Sequence, residues 1–270
     1  MILADYHIHT SYSTDAKAWA DPESCANRAV AMGLEEIVFT DHLDFKYRTL
    51  EPYPFIDMDA YVNHILRLKS DFAGRLQIRL GLELGLTPEI AHLARNVTDK
   101  YPFDFIICST HDIKGVGIYG GCDYFGDRPK KAAYDEYFNE ALAVIKADPD
   151  FCVYGHLDFL ERYAPYDDVT AHLNDFADVT DTIFKLLIES GRGLEVNTSG
   201  YRYGLGRTNP KPEYLRRFKE LGGEILTLGS DAHSPDHIAS NFPKAQDMLL
   251  SLGFKYLARY EGMKPRMVRI

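Results

Sequence analysis

The residues of this 270-residue chain best able to do chemistry are its histidines and the carboxylates near them. Six of the ten histidines stand just past short apolar runs: His7 and His9, then His42, His111, His156 and His233. Acidic residues keep the same company. Asp15 follows His9, Asp41 precedes His42, Glu83 closes an apolar run, Asp112 follows His111, and Asp231 lies two residues before His233. One histidine in such a place is ordinarily a satisfied core or surface residue. A gathering of imidazoles and carboxylates is different, because the acids repel one another unless cations neutralise them and use the ring nitrogens. Mixed nitrogen and oxygen donors without convergent cysteines suit Zn²⁺, Mn²⁺ or Fe²⁺ and do not choose among them. The potential ligands His7, His9, Asp15, His42, Glu83, His111, His156, Asp231 and His233 exceed what one ion can use. More than one ion is therefore expected, as where adjacent metals clamp the attacking and leaving oxygens of a phosphoryl transfer.

The elements that must position these residues alternate along the chain. Apolar runs predict strands over residues 2–6, 36–39, 77–82, 103–108, 151–154, 193–196 and 224–228. Between them, Asp21-Pro22 opens a helical run ending at Gly33, and Thr87-Pro88-Glu89 places a cap, a first-turn proline and an early carboxylate in order. Further helices are predicted over 59–72, 131–147, 169–190, 213–221 and 236–252. Strand-then-helix order implies a parallel sheet, and strands along the whole length favour a closed (β/α) barrel over an open doubly wound sheet. In such a barrel the C-terminal strand ends converge, so residues distant in sequence meet on one face. Residues 110–129, with Gly115, Gly117, Gly120, Gly121 and Gly126, lack periodicity and read as a loop over a site.

Composition narrows the class. Hydrophobic residues at 46% and charged residues at 26% match an ordinary globular protein, and no repeat or linker divides residues 1–270, so a single domain is expected. The formal charge of -10 argues against nucleic acid as a partner. Met1-Ile-Leu-Ala-Asp5 lacks a basic and apolar leader pattern, and no apolar run approaches the ~18 residues that span a bilayer. No membrane association and a cytoplasmic location are the expectation. Cys25, Cys108, Cys122 and Cys152 form no CxxC pair and read as reduced thiols. His64, His92, His172 and His237 fall on predicted helices or their starts and are assigned to solvent or packing. Lys130-Lys131 and the basic stretch around Lys264, Arg266 and Arg269 read as solvated, the latter as a tail.

The segment from His7 to Asp15 resembles the HxHTxxSxD opening of the PHP (polymerase and histidinol phosphatase) superfamily. Thr40-Asp41-His42, Leu82-Glu83, Ser109-Thr110-His111, Gly155-His156 and Ser230-Asp231-Ala232-His233 resemble its later motifs, in order over nearly the whole chain. The resemblance implies a single distorted (β/α)7 barrel with three divalent ions. His7, His9, Glu83 and Asp231 would hold the first, Glu83 would bridge to a second held by His111 and His156, and Asp15, His42 and His233 would hold the third. Asp41 and Asp112 would orient neighbouring rings or cap rather than ligate.

The stretches 155–163 and 195–202 resemble those of histidinol-phosphate phosphatases, which implies that Arg162 and Arg202 bind the substrate phosphate. The plainer alternative is that both pair with surface carboxylates. Lys114, Tyr163 and Arg207 are lesser candidates, and Trp19, Tyr53 and Phe55 either contact an imidazole ring or cover the core. The implied reaction is hydrolysis of L-histidinol phosphate by metal-activated water, with Asp41, Asp112 or metal-held water as candidates for protonating the leaving alcohol. The rivals are a PHP phosphoesterase acting on nucleotides or oligonucleotides, an amidohydrolase-type barrel, which fits Glu83 and the Asp-His pairs poorly, and a non-catalytic metal-binding module.

Overall fold

Continuous apolar runs such as Glu36-Ile-Val-Phe39 and Phe105-Ile-Ile-Cys-Ser109 are buried along their whole length, as strands covered on both faces must be. The structure, a computed structural model, describes residues 2–54, 56–120 and 123–270; Phe55, Gly121 and Cys122 of the sequence reading lie outside them. Seven parallel strands form the main sheet: β1 (Ala4–Ile8), β2 (Glu36–Phe39), β3 (Gln77–Gly85), β4 (Phe105–Ser109), β5 (Val153–Tyr154), β6 (Gly193–Asn197) and β7 (Leu226–Gly229). They pair in chain order, with the two-residue strand His42–Leu43 added beside β3.

Helices α1 (Pro22–Ala31), α2 (Met58–Asp71), α3 (Lys130–Lys146), α4 (Leu173–Glu189), α5 (Pro212–Glu220) and α6 (Phe242–Ser251) carry the chain between and after the strands. Local chemistry starts them. The Asp21 carboxylate accepts from Ser24 N at 2.8 Å ahead of Pro22, and Asp57 accepts from Ala60 N at 3.0 Å ahead of α2. Helix α2 buries Tyr61, Val62, Ile65 and Leu68, and the Tyr61 hydroxyl lies 2.9 Å from the carbonyls of both Phe39 and Gly81, which ties it to β2 and β3.

The sheet curls until its two edges meet. Ile8 bridges Ala232 in parallel, with His9 N donating to Ala232 O at 2.8 Å and Ala232 N to His7 O at 3.2 Å. The buried Asp5 carboxylate spans this seam and accepts from Ser230 N at 2.9 Å, Ser230 Oγ at 2.5 Å and Ala239 N at 2.8 Å. Burial raises its pKa, and these donors pull it back only in part.

All seven predicted strands exist, but several run past their predicted ends. His7 lies within β1 and Glu83 within β3 rather than beyond them, because polar side chains that face the barrel mouth do not break the backbone ladder. The run 236–252 is interrupted: Pro235–His237 is a 3₁₀ turn, Asn241 has φ 60°, and α6 begins at Phe242. The run after Thr87 divides into the short helices Pro88–Ala91 and Arg95–Thr98, and Thr87 makes no side-chain cap bond. The loop 110–129 contains a small hairpin of Asp112–Ile113 with Val116–Gly117. Among the described residues no helix is long and apolar enough to cross a membrane, and Cys25, Cys108 and Cys152 are buried free thiols.

The expected basic tail is a β-hairpin instead, β8 (Tyr256–Glu261) paired with β9 (Lys264–Arg269). Leu257, Ala258 and Tyr260 of β8 are buried, while Lys264, Arg266 and Arg269 lie exposed on the outer strand. Their charge disguised the hairpin as a solvated segment. It packs under the N-terminal strand ends: Tyr260 N donates to the Tyr6 hydroxyl at 2.6 Å, Met263 N to Asp104 O at 2.9 Å, and Glu261 pairs with Arg79 at 2.8 Å.

Replacing Asp5 by alanine leaves four donors, His7 N at 3.2 Å among them, without their acceptor in a dry site. The expected cost is roughly 3–5 kcal/mol, or a fall in Tm of roughly 6–20 °C. Thermal unfolding of the metal-free Asp5→Ala variant measures it, and an unchanged Tm would show that the seam is held by other means.

Candidate metal centre

Alternation along β3 sends Ile78, Leu80, Leu82 and Leu84 into the outer core and Glu83 into the barrel. In β1 the register with β2 shifts between Asp5 and Ile8, so Tyr6 joins the lower interior cluster while His7 still reaches Glu83. Gly229 on β7 makes room for His7, since a Cβ there would stand 2.4 Å from the His7 Cβ and 2.5 Å from a Glu195 oxygen.

The Glu83 carboxylate divides its neighbours. Its Oε2 lies 3.1 Å from His7 Nε2, 3.3 Å from His9 Nε2 and 3.1 Å from His42 Nδ1. Its Oε1 lies 2.7 Å from His156 Nε2 and 3.2 Å from His111 Nε2 and accepts from Ser109 Oγ at 2.7 Å. Asp231 approaches the same group, with Oδ1 3.5 Å from His9 Nε2 and 3.9 Å from His7 Nε2. The exposed Asp15 Oδ2 stands 3.0 Å from His233 Nε2 and 3.5 Å from His42 Nε2. The His9 ring stacks at 4.1 Å on His233 and lies 4.2 Å from His42, which joins the two groups. All nine candidate ligands therefore meet at the C-terminal strand ends.

Burial opposes ionisation of Glu83, yet His7, His111 and His42 hold its carboxyl well below the ordinary range. Asp231 is likewise depressed against burial by His7, His9, His233 and Arg162, and Asp15 by His233 and His42. In return burial disfavours charge on His7 and His111, but Glu195 and Glu83 raise the first and Asp44 and Glu83 the second well above the usual imidazole value. These groups need positive charge among them, and either protons on the rings or cations on the same lone pairs meet that need.

Cations fit the geometry. His7 Nε2 and His9 Nε2 face each other at 2.9 Å. Donor atoms of His7, His9 and Glu83, of His9, His42 and His233, and of His42, Glu83 and His111 lie within 4.8 Å of one another in each group. Ligands about 2.0–2.2 Å from one ion would be spaced in that way.

Asp41 and Asp112 do not touch the rings of the histidines beside them in the chain. Asp41 accepts from Thr10 N at 2.7 Å, Thr10 Oγ1 at 2.8 Å and Ser13 Oγ at 2.7 Å, and reaches the His9 ring through Ser13 rather than touching its neighbour His42. Asp112 closes a turn by accepting from Gly115 N at 3.1 Å. The carboxylates that do touch the rings are Asp44, 2.6 Å from His111 Nδ1, and Glu195, 2.5 Å from His7 Nδ1. Sequence reasoning missed both. A lone acid inside the apolar run 193–196 was a usable signal for Glu195, whereas Asp44 in a polar turn carried none.

Arg162 and Arg202 flank Asp231. Arg162 Nη2 donates to Ser199 Oγ at 2.5 Å and Asp231 Oδ2 at 3.3 Å, its guanidinium lies 3.7 Å over the Tyr203 ring, and its buried Nε lacks a hydrogen-bond partner. Arg202 donates to Ser230 O at 2.7 Å, Asp231 O at 2.7 Å and Ser240 Oγ at 2.6 Å, holding a backbone whose Asp231 φ is 54°. Neither pairs with a surface carboxylate in these contacts. Lys114 pairs with Glu136 at 2.8 Å and Arg207 with the buried Glu161. Of the helical histidines, His64 bridges Glu23 and Tyr12, His172 pairs with Asp168 at 3.1 Å, and His92 is exposed.

The sequence model of the PHP domain matches residues 5–199. The histidinol-phosphatase of Lactococcus lactis subsp. lactis is 32% identical over 265 residues, covering 96% of this chain and 95% of that protein. The histidinol-phosphatase of Bacillus subtilis is 26% identical, covering 85% and 92%. A crystal structure of the Lactococcus lactis enzyme complexed with zinc, L-histidinol and phosphate superposes with a TM-score of 0.89 at 30% identity, over 98% of this chain and 99% of that one. Kinship at this identity over nearly the full length, together with a family match through most of the barrel, makes this chain a member of the PHP domain family.

Proposed function

We propose that this chain hydrolyses L-histidinol phosphate to L-histidinol and phosphate, a cytoplasmic step of histidine biosynthesis, at a centre of three divalent ions. The observation that carries the reading is Glu83, whose Oε2 faces His7 and His9 while Oε1 faces His111 and His156. A carboxylate with two or more histidines on each oxygen suits a bridge between two cations. His7, His9, Glu83 and Asp231 would hold one ion, Glu83, His111 and His156 a second, and Asp15, His42 and His233 a third. The donors admit Zn²⁺, Mn²⁺ or Fe²⁺. When bound, such ions neutralise phosphoryl oxygens and lower the pKa of water toward neutrality.

The protein's own groups supply position. Arg162 offers the substrate phosphoryl group a buried, nearly desolvated guanidinium, already oriented by Tyr203 and Ser199. Arg202 uses three of its five N–H groups on the protein and keeps two for a phosphate oxygen. Trp19 at 62% exposure and Tyr53 at 61% stand on the loops after β1 and β2, where an imidazole could stack on a ring face. Relatives named as histidinol-phosphatases, one of them crystallised with L-histidinol and phosphate, support this substrate over nucleotides.

Glu83→Gln removes the charge that draws two cations together, so metal content and kcat should fall together; elemental analysis and a phosphate-release assay read both, and normal values in either would refute the bridge. His111→Ala and His156→Ala should each lose metal and activity, while His92→Ala and His172→Ala should keep both within surface-mutation effects. Equal sensitivity of the two pairs would sink the ligand assignment. Arg162→Ala should lower kcat/KM by about ten- to a hundred-fold while metal content persists, with Arg162→Lys recovering part. The wild type, in a panel with nucleotides and sugar phosphates, should prefer histidinol phosphate, and a nucleotide preference would overturn the substrate.

A further inference from the structure

We propose that Asp44 is a positioning residue that couples two of the ion positions, a claim that rests on the ligand assignment made above. The two-residue strand His42–Leu43 pairs with β3 in the register His42↔Glu83 and Leu43↔Leu84, so the next residue, Asp44, comes to lie against Gly85. From there its carboxylate reaches two histidines assigned to different ions. Oδ1 stands 2.6 Å from His111 Nδ1, and Oδ2 stands 3.5 Å from His42 Nδ1. The two rings are 5.1 Å apart and nearly perpendicular, and the one carboxylate lies beside both, hydrogen-bonded to His111 and at ion-pair distance from His42.

The bond to His111 decides a tautomer. With Nδ1–H donating to Asp44, the Nε2 lone pair points to Glu83 Oε1, 3.2 Å away, where a cation would need it. On the other ring, Asp44 Oδ2 stands at ion-pair distance from His42 Nδ1, a nitrogen with no hydrogen bond of its own and 3.1 Å from Glu83 Oε2, while His42 Nε2 faces Asp15 at 3.5 Å. Asp112, the sequence neighbour of His111, holds Gly115 N instead, and the Nδ1 partner of His111 is Asp44.

The fold has also cleared space for this carboxylate. A Cβ on Gly85 would lie 1.7 Å from Asp44 Oδ1, 2.7 Å from its Cγ and 3.0 Å from His111 Nδ1. The φ of Gly85 is not in the left-handed region, so close approach rather than backbone freedom excludes a side chain here.

The experiment titrates Zn²⁺ into metal-stripped protein against a competing chelator and reads stoichiometry and affinity, with Tm of the metal-free protein as a check on folding. Asp44→Ala should weaken two ions together, each by about ten- to a hundred-fold, with metal-free Tm close to wild type. Asp44→Asn keeps an acceptor for His111 Nδ1–H and should recover part of the loss. Gly85→Ala should reproduce the Asp44→Ala defect by displacing the carboxylate, and the double variant should be no worse than either single one. Asp112→Asn should bind Zn²⁺ as the wild type does. Full occupancy and affinity in Asp44→Ala, or loss of one ion alone, would overturn the coupling. If His111→Ala loses metal and Asp44→Ala does not, the coupling fails and the ligand assignment stands. If His111→Ala also keeps its metal, the assignment fails and takes the coupling with it.

Discussion

A carboxylate as deeply buried as Glu83 remains ionised only if positive charge surrounds it, and that requirement organises the upper half of this barrel. Five histidines approach its two oxygens within 3.3 Å, and a ring whose near nitrogen is to face inward needs its far nitrogen fixed. Glu195 does this for His7 and Asp44 for His111, while Asp41 acts on His9 through Ser13. The carboxylates therefore form two layers, the inner competing for cations and the outer orienting the rings that share them.

Such crowding of charge at one end is tolerable because the rest of the barrel is closed without it. Asp5 locks the seam between first and last strands, and the C-terminal hairpin packs Tyr260 and Met263 under the opposite rim. The hairpin thus stabilises the end of the strands opposite the chemistry, the usual division in α/β barrels. The seam also bears on the site, since the Ser230 anchored by Asp5 is followed by Asp231, whose backbone Arg202 holds in the left-handed region. Aspartate tolerates that conformation better than most side chains do. The arrangement aims its carboxylate at His9 and His233 while leaving the other oxygen to Arg162.

How much of this was legible in the chain follows from the range of each interaction. Strand and helix order, and the inward march of histidines and acids at strand ends, are written in local periodicity, which is why His7, His9, His42, Glu83, His111, His156, Asp231 and His233 stood out before any coordinates. The end of β1 could not be placed because the ladder continues through polar residues when their side chains face a functional mouth. The terminal hairpin was hidden by its charged outer strand, although the alternation around Leu257 and Tyr260 was present.

The sequence by itself determined a parallel α/β barrel and the residue types for a multi-cation centre, because both depend on patterns within a few residues of one another. Only the tertiary structure decided which carboxylate meets which ring. Asp112 is adjacent to His111 in the chain, but the partner of that ring is Asp44, 67 residues away, since strand pairing brings Asp44 against Gly85 and a turn draws Asp112 aside. The same holds for Glu195 and His7, 188 residues apart and 2.5 Å from contact to contact. Ring orientation is a matter of a few tenths of an ångström between elements that meet only on closure of the barrel, and no local pattern encodes it.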